Sequence, residues 1–361
     1  MAMTLTREAT PTRAKLSVID CDIHNELASA ESLLPYLPKE WRDYTKQFGN
    51  FGYSATVYPR NNLNAARTDS WPPNGKRPGS DLPFLREQLL DAWGIEYGVL
   101  NCLSAAGARR LDQGAAIAQA MNEWEVAEWL DPEPRLRGSI MVPHEDGEIA
   151  AAEIDRAAKD KRFIQVIITI RTNEPLGRRK YWPMYEACVR NNLPLGIHFG
   201  GSGGHAYSGA GWQSHYIEDH SGMSQSFQPQ VASMILEGVF ERFPTLKVVL
   251  IEGGFAWIPP LLWRLDRTWA KLRGEVPHVK RAPSEYFREN FFITTQPMEE
   301  PGKPEHFHQL LEQLDMNDSL LFATDYPHWD FDAPDQAIPV RIDRDLERNI
   351  MSENARRLYR L

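Results

Sequence analysis

Eight short runs of β-branched and apolar residues recur along the 361-residue chain, each followed by a helical pattern. The runs are Val18–His24, Tyr97–Leu103, Leu136–Pro143, Phe163–Ile170, Leu193–Phe199, Leu246–Gly253, Phe291–Thr295 and Ser319–Asp325. Helical patterns fill Leu82–Trp93, Asp112–Leu130, Glu145–Asp160, Trp182–Asn192, Pro229–Phe243, Phe255–Arg273, Pro304–Leu314 and Ala333–Arg348. Runs that are apolar on both faces mark strands covered by helices on two sides, which is how a parallel sheet reads. Eight such units predict an α/β chain closed into a (β/α)8 TIM barrel; an open doubly wound sheet is the alternative. No glycine-rich phosphate loop follows the first run, which weakens a nucleotide-binding reading.

Two segments interrupt the alternation, Lys39–Ser80 after the first strand and Gly200–Gln228 after the fifth. Loops of this length act as lids or binding loops in compact domains, and both follow a strand, on the face where barrels carry their chemistry. The expectation is one domain over 1–361 with an inserted loop at 39–80 and an active-site loop at 200–228. The aromatics of the first loop (Phe48, Phe51, Tyr53, Tyr58, Trp71) and the Trp-rich helical patterns point to packing or subunit contacts, and so to a homodimer or higher homo-oligomer. Trp129 and Trp269 read as packing residues.

Charge and composition narrow the partners. Forty basic residues against 49 acidic ones give a formal charge of −9, opposite to the basic stripe of a nucleic-acid binder. No apolar stretch approaches the ~18–20 residues a membrane-spanning helix needs, and Met1–Lys15 lacks the apolar core of a secretory signal. Cys21, Cys102 and Cys188 are far apart and form no CxxC pair, the usage of a reduced, cytoplasmic protein. The expected partner is a small-molecule substrate.

Residue types that bind metals fall at strand ends. Asp22 and His24, two apart on the first strand, share a face; His198 ends the fifth strand and Asp325 the eighth. A barrel would bring all four to one mouth. Two imidazoles and two carboxylates bind a divalent ion and leave a position open for water or substrate. Any one of them alone would read as an ordinary core or loop residue. Around this set, Arg171 follows strand four and could clamp a substrate carboxylate or form a structural salt bridge. His144 ends strand three. His328, three residues past Asp325, suits acid–base work. His205, His215 and His220 read as polar lid residues, and His278, His306 and His308 as surface ones.

On these residues the chain resembles the amidohydrolase superfamily, in its branch related to aminocarboxymuconate semialdehyde decarboxylase. The resemblance runs from Ile19-Asp20-Cys21-Asp22-Ile23-His24, through Gly238-Val239-Phe240-Glu241-Arg242-Phe243-Pro244 and Ala323-Thr324-Asp325-Tyr326-Pro327-His328, to Glu353-Asn354-Ala355-Arg356-Arg357-Leu358-Tyr359. It implies that Asp22 and His24 stand for the H-x-H or E-x-H ligand pair, with Asp as the first ligand. His198 would be the strand-five ligand and Asp325 the strand-eight aspartate. Phe163–Ile170 lacks the lysine that bridges two metals in many relatives, so a single ion is implied. The chain departs from the pattern at strand six. Decarboxylases of the branch carry a catalytic histidine there, whereas this chain has Glu252 in Ile251-Glu252-Gly253-Gly254.

The expected activity is that of a metal-dependent hydrolase of a small carbonyl compound, an amide, lactone or C–C bond in a ring-derived acid. One divalent ion, Zn2+ ahead of Mn2+ or Fe2+, would lower the pKa of bound water toward about 7. Asp325 would move the proton while Glu252, Arg171 and His328 position substrate. The alternatives are nonoxidative decarboxylation of an aromatic or muconate-type acid, which the strand-six glutamate weakens, and a non-catalytic metal-binding barrel.

Overall fold

A computed structural model describes residues 16–48, 65–103, 110–201, 205–206 and 208–361. Its eight strands are β1 (Val18–Ile23), β2 (Ile95–Leu100), β3 (Leu136–Met141), β4 (Phe163–Thr169), β5 (Leu195–His198), β6 (Val248–Ile251), β7 (Phe291–Thr294) and β8 (Leu320–Leu321). They pair in parallel in chain order. The last strand returns to the first: Cys21 N donates to Phe322 O (2.9 Å), His24 N to Tyr326 O (2.7 Å) and Asp325 N to Asp22 O (3.1 Å). The fold is a (β/α)8 TIM barrel, and each expected strand is present within a few residues.

Burial explains the strands. Every residue of β1 and β4 is buried, because helices cover the outside and side chains fill the inside. Close packing at the β1–β2 seam requires Gly98, where a Cβ would lie 2.5 Å from the Ile23 side chain. The barrel interior is not wholly apolar. Tyr359 OH donates to Gln165 Oε1 (2.9 Å), and Gln165 Nε2 and Ser139 Oγ donate to Asn101 Oδ1 (2.9 and 2.7 Å). Buried polar groups are tolerated when they satisfy one another in this way.

The helices depart from expectation in three places. The pattern read as Ala333–Arg348 is helical only over Arg344–Arg348, with Asp343 capping it by accepting from Asp345 N and Leu346 N. Pro339, in the interior of that span, lacks the N–H a helix needs there. The Pro229–Phe243 helix begins earlier, at Ser224, with Pro229 inside it, and stops at Leu236; after Gly238 (φ +83°) a short turn, Val239–Arg242, follows. A helix at Pro283–Asn290, opened by its proline, precedes β7. Within the interrupting segments the chain forms helices at Lys39–Phe48 and Tyr216–Ser221. Phe51, Tyr53 and Tyr58 lie outside the described residues. No helix among the described residues is long and apolar enough to cross a membrane.

Candidate metal centre

Barrel closure brings Asp22, His24, His198 and Asp325 together, all buried, with one ligand-type atom of each within 4.8 Å of the others. The β1–β8 seam sets two of them face to face: His24 Nε2 lies 2.9 Å from Asp325 Oδ1 and 3.5 Å from Asp22 Oδ1. His198 Nε2 lies 3.3 Å from Asp22 Oδ2. The two imidazoles meet edge to face, with centroids 4.8 Å apart.

Neighbouring backbone and amides aim these groups. His24 Nδ1 donates to Asn101 O (2.8 Å) and His198 Nδ1 to Phe199 O (2.5 Å), so both rings point Nε2 at the centre, the orientation metal-binding histidines need. Asn101 Nδ2 donates to Asp22 Oδ1 (2.8 Å), which ties the polar network of the barrel interior to the cluster. Among the described residues, Asp22 Oδ2 and His198 Nε2 are buried and without a hydrogen-bond partner. Two unsatisfied acceptor-type atoms at the convergence of four buried ligands fit a cation, which would satisfy both.

The local charges reinforce one another. Burial lowers the His24 pKa, but the Asp22 charge and the charge and hydrogen bond of Asp325 outweigh it and bring the group up to about 9. Burial alone would raise Asp325, but the His328 charge and hydrogen bonds from His24 and His328 hold it well below the usual carboxylate range. Glu252 is driven well above its ordinary value by burial and by Asp325, Asp330 and Asp22. Two of these carboxylates, Glu252 (φ +58°) and Asp325 (φ +60°), sit in left-handed backbone. That conformation costs a non-glycine residue about 1–3 kcal/mol and concentrates at functional sites.

The other candidates divide. His328 joins the cluster: its Nδ1 donates to Asp325 Oδ1 (2.8 Å) and its ring stacks on His24 at 4.4 Å. Glu252 joins it too, with Oε2 3.4 Å from His198 Nε2. Arg171 is ion-paired to Asp219 (2.5 Å) with its guanidinium 4.6 Å above Phe199. It lines a cavity of about 350 Å³ with His205, Gln225 and Gln230, none of them in the cluster. His144 is buried beside Glu145 (3.7 Å), and His278, His306 and His308 are exposed.

Sequence reasoning passed over Asn101 and Gln296, whose Nε2 donates to Asp325 Oδ2 (3.2 Å) and Asp330 Oδ2 (2.9 Å). Both stand just beyond a strand, the signal that marked the ligands, but an amide does not draw attention as a ligand type. His220, read as a lid residue, instead reaches inward to Asp330 at 2.9 Å.

Comparisons with known proteins point to one family. The family model described as Amidohydrolase matches residues 19–361. A gamma-resorcylate decarboxylase of Polaromonas sp. (strain JS666) is 28% identical over 298 residues, which cover 78% of this chain and 88% of that protein. Among solved structures, an amidohydrolase from Mycobacterium avium subsp. paratuberculosis K-10 is similar with a TM-score of 0.71 at 21% identity, covering 96% of this chain and 100% of the other. A dihydroxybenzoic acid decarboxylase from Polaromonas sp. JS666, with bound manganese and the inhibitor 2-nitroresorcinol, reaches a TM-score of 0.68 at 21% identity, covering 96% and 97%. With a match that begins in β1 and runs past β8, the chain belongs to the amidohydrolase family, in the superfamily branch related to aminocarboxymuconate semialdehyde decarboxylase, and is an enzyme of that superfamily.

Proposed function

We propose that the protein is a metal-dependent nonoxidative decarboxylase of a hydroxylated aromatic acid. This reverses the order of the two activities expected from the sequence. The observation that carries it is the similarity to gamma-resorcylate decarboxylase, which spans 88% of that relative, combined with the converging Asp22, His24, His198 and Asp325. A divalent ion held by these four would supply a Lewis acid for the oxygens of a carboxylate and its neighbouring hydroxyl. The manganese of the Polaromonas structure supports Mn2+ ahead of Zn2+ for this chain.

In the reaction, the ring carbon bearing the carboxylate takes up a proton. The bond to the carboxylate then breaks, its electron pair returns to the ring, and carbon dioxide leaves. Asp325 is the group that delivers the proton. Held well below the usual carboxylate range, it rests ionised and must be supplied by a neighbour. His328, hydrogen-bonded to Asp325 Oδ1 and reaching the surface, supplies it from solvent. Asn101 and Gln296 hold the two carboxylates in place. We further read the protein as a cytoplasmic homodimer or higher homo-oligomer, which light scattering on purified protein checks.

Glu252 favours a second reading, metal-dependent hydrolysis, because a carboxylate at the end of β6 orients water where an imidazole would donate a proton. One experiment separates the two. Mn2+-loaded protein is incubated with 2,6-dihydroxybenzoate and related hydroxybenzoates, in D2O and in H2 18O. Carbon dioxide release with one deuterium on the vacated ring carbon is expected. Product labelled with 18O and no carbon dioxide, on any substrate turned over, would replace decarboxylation with hydrolysis.

A further inference from the structure

At the rim of the same mouth, a histidine and an aspartate from distant segments form a pair that the candidate ion site does not use. His220, on the Tyr216–Ser221 helix, donates from Nε2 to Asp330 Oδ2 in the segment after β8 (2.9 Å). Their side chains are 16% and 12% exposed. Asp330 is fixed in turn, because Gln296 Nε2 donates to its Oδ2 (2.9 Å) and its backbone O (3.3 Å). The His220 ring is held by Trp329 at 5.1 Å and Tyr216 at 5.5 Å. Trp329 Nε1 ties these two walls together by donating to Tyr216 OH (2.9 Å).

This arrangement decides where the imidazole keeps its proton. A carboxylate only accepts, so neutral His220 holds its hydrogen on Nε2 and presents Nδ1 as an acceptor. Nδ1 carries no hydrogen bond among the described residues and is open to solvent. A proton arriving there makes a cation already paired with Asp330. The pair stands against the site, since one oxygen of Glu252, at the end of β6, lies within 4.8 Å of it. The neighbouring acids of the helix are turned elsewhere, Asp219 to Arg171 and Glu218 to His215. The other imidazoles of the mouth are committed: His24 and His198 turn Nε2 to the centre of the cluster, and His328 gives Nδ1 to Asp325.

We propose that His220, oriented by Asp330, is the base that takes and returns the proton of a substrate ring hydroxyl conjugated with the reacting carbon. The inference rests on reading the reaction as decarboxylation of a hydroxylated aromatic acid. As Asp325 places a proton on the carbon bearing the carboxylate, the hydroxyl proton passes to His220 Nδ1 and the ring becomes a dienone. The bond to the carboxylate then breaks, its electron pair returns to the ring, and carbon dioxide leaves. The phenolate oxygen recovers its proton from Nδ1. His220 ends as it began, and the one proton consumed is the one on the ring carbon.

Mn2+-loaded wild type, His220→Ala and His220→Gln are assayed on 2,6-dihydroxybenzoate and related hydroxybenzoates, with Mn2+ content read by plasma mass spectrometry and fold by circular dichroism. A glutamine can still donate to Asp330 but cannot take up the proton. Both variants are expected to bind Mn2+ as the wild type does and to lose about 10²–10⁴ in kcat. Added imidazoles should restore His220→Ala alone, and faster as their basicity rises. Wild-type kcat in His220→Gln, or a loss in His220→Ala that no imidazole repairs, would reduce the pair to a clasp on the helix and overturn the proposal. A contact test needs no turnover: diethyl pyrocarbonate is expected to modify His220, located by peptide mass spectrometry, and bound 2-nitroresorcinol to protect it. Equal labelling with and without that ligand would overturn the proposal even where decarboxylation stands. Protection in a protein that decarboxylates none of these acids would reject the reaction, and this base with it.

Discussion

Asp325 holds two imidazoles at once, His24 and His328, on the same oxygen, while Gln296 holds the other. On the proposed reading a residue so placed both completes the cluster and carries the proton, and Asp325→Asn keeps its shape while removing both roles. Turnover of any substrate the wild type accepts should fall by about 10²–10⁴, the usual share of a positioned acid or base, in steady-state assays. Asn101 acts one step back. Asn101→Ala keeps the backbone carbonyl that orients His24 but deletes the amide bond to Asp22. Metal affinity should weaken by about 10–100-fold, read as a shift in a competition titration against a chelating dye. The convergence of Asp22, His24, His198 and Asp325 was legible in the sequence because strand ends and residue type coincide at all four. His220 and Asp330 were not legible in their pairing, because both lie in segments without periodicity, where only the folded path makes them neighbours. Gln296 and Asn101 stood at the right positions, but an amide gave no chemical reason to single them out.

The helix Leu111–Glu125 ends on a carboxyl group pressed against β3, with Glu125 Oε2 3.1 Å from where a Cβ on Gly138 would stand. Glu125 is buried and receives a hydrogen bond from Asn25 Nδ2 (3.3 Å), and burial raises its pKa well above 4.5. The folded protein therefore keeps this proton over a pH range in which the unfolded chain has released it. Stability attributable to the site falls as pH rises above about 4.5, by about 1.4 kcal/mol per unit, until the folded group ionises. In Glu125→Gln that slope should vanish. Denaturant midpoints for variant and wild type should diverge as pH rises above about 4.5, with the variant gaining. The strands were legible as elements because each is a short, nearly unbroken apolar run, and β4 remains so despite Gln165. The helix expected at Ala333–Arg348 was misread because Ala333–Ile342 carries a helix-like apolar spacing that the interior Pro339 forbids. Ser224–Leu236 was placed late because Pro229 looked like a start and lies inside.

The barrel as a whole is closed by the same seam that assembles the cluster, so an ion bound there would be coupled to global stability. An ion that binds the folded barrel alone stabilises it by about 4 kcal/mol at a thousand times its dissociation constant. At about 2–4 °C per kcal/mol for domains of 150–250 residues, chelation should lower the thermal midpoint by roughly 10 °C, and Mn2+ should restore it; differential scanning calorimetry reads both. Fold class was legible from eight repeated units, since no other common architecture uses that count in strict alternation. The chemistry was not, because decarboxylation and hydrolysis draw on the same ligands and differ in what one residue at the end of β6 does. The seam also has a temporal side. His24 and Asp325 are 301 positions apart in the chain yet share a hydrogen bond. At about 5–20 residues per second, a ribosome releases the first roughly 15–60 s before the second. Throughout that interval Asp22 and His24 exist without the Asp325 that completes their cluster. The complete cluster is thereby a late acquisition of each new molecule, and a chain interrupted before β8 lacks it.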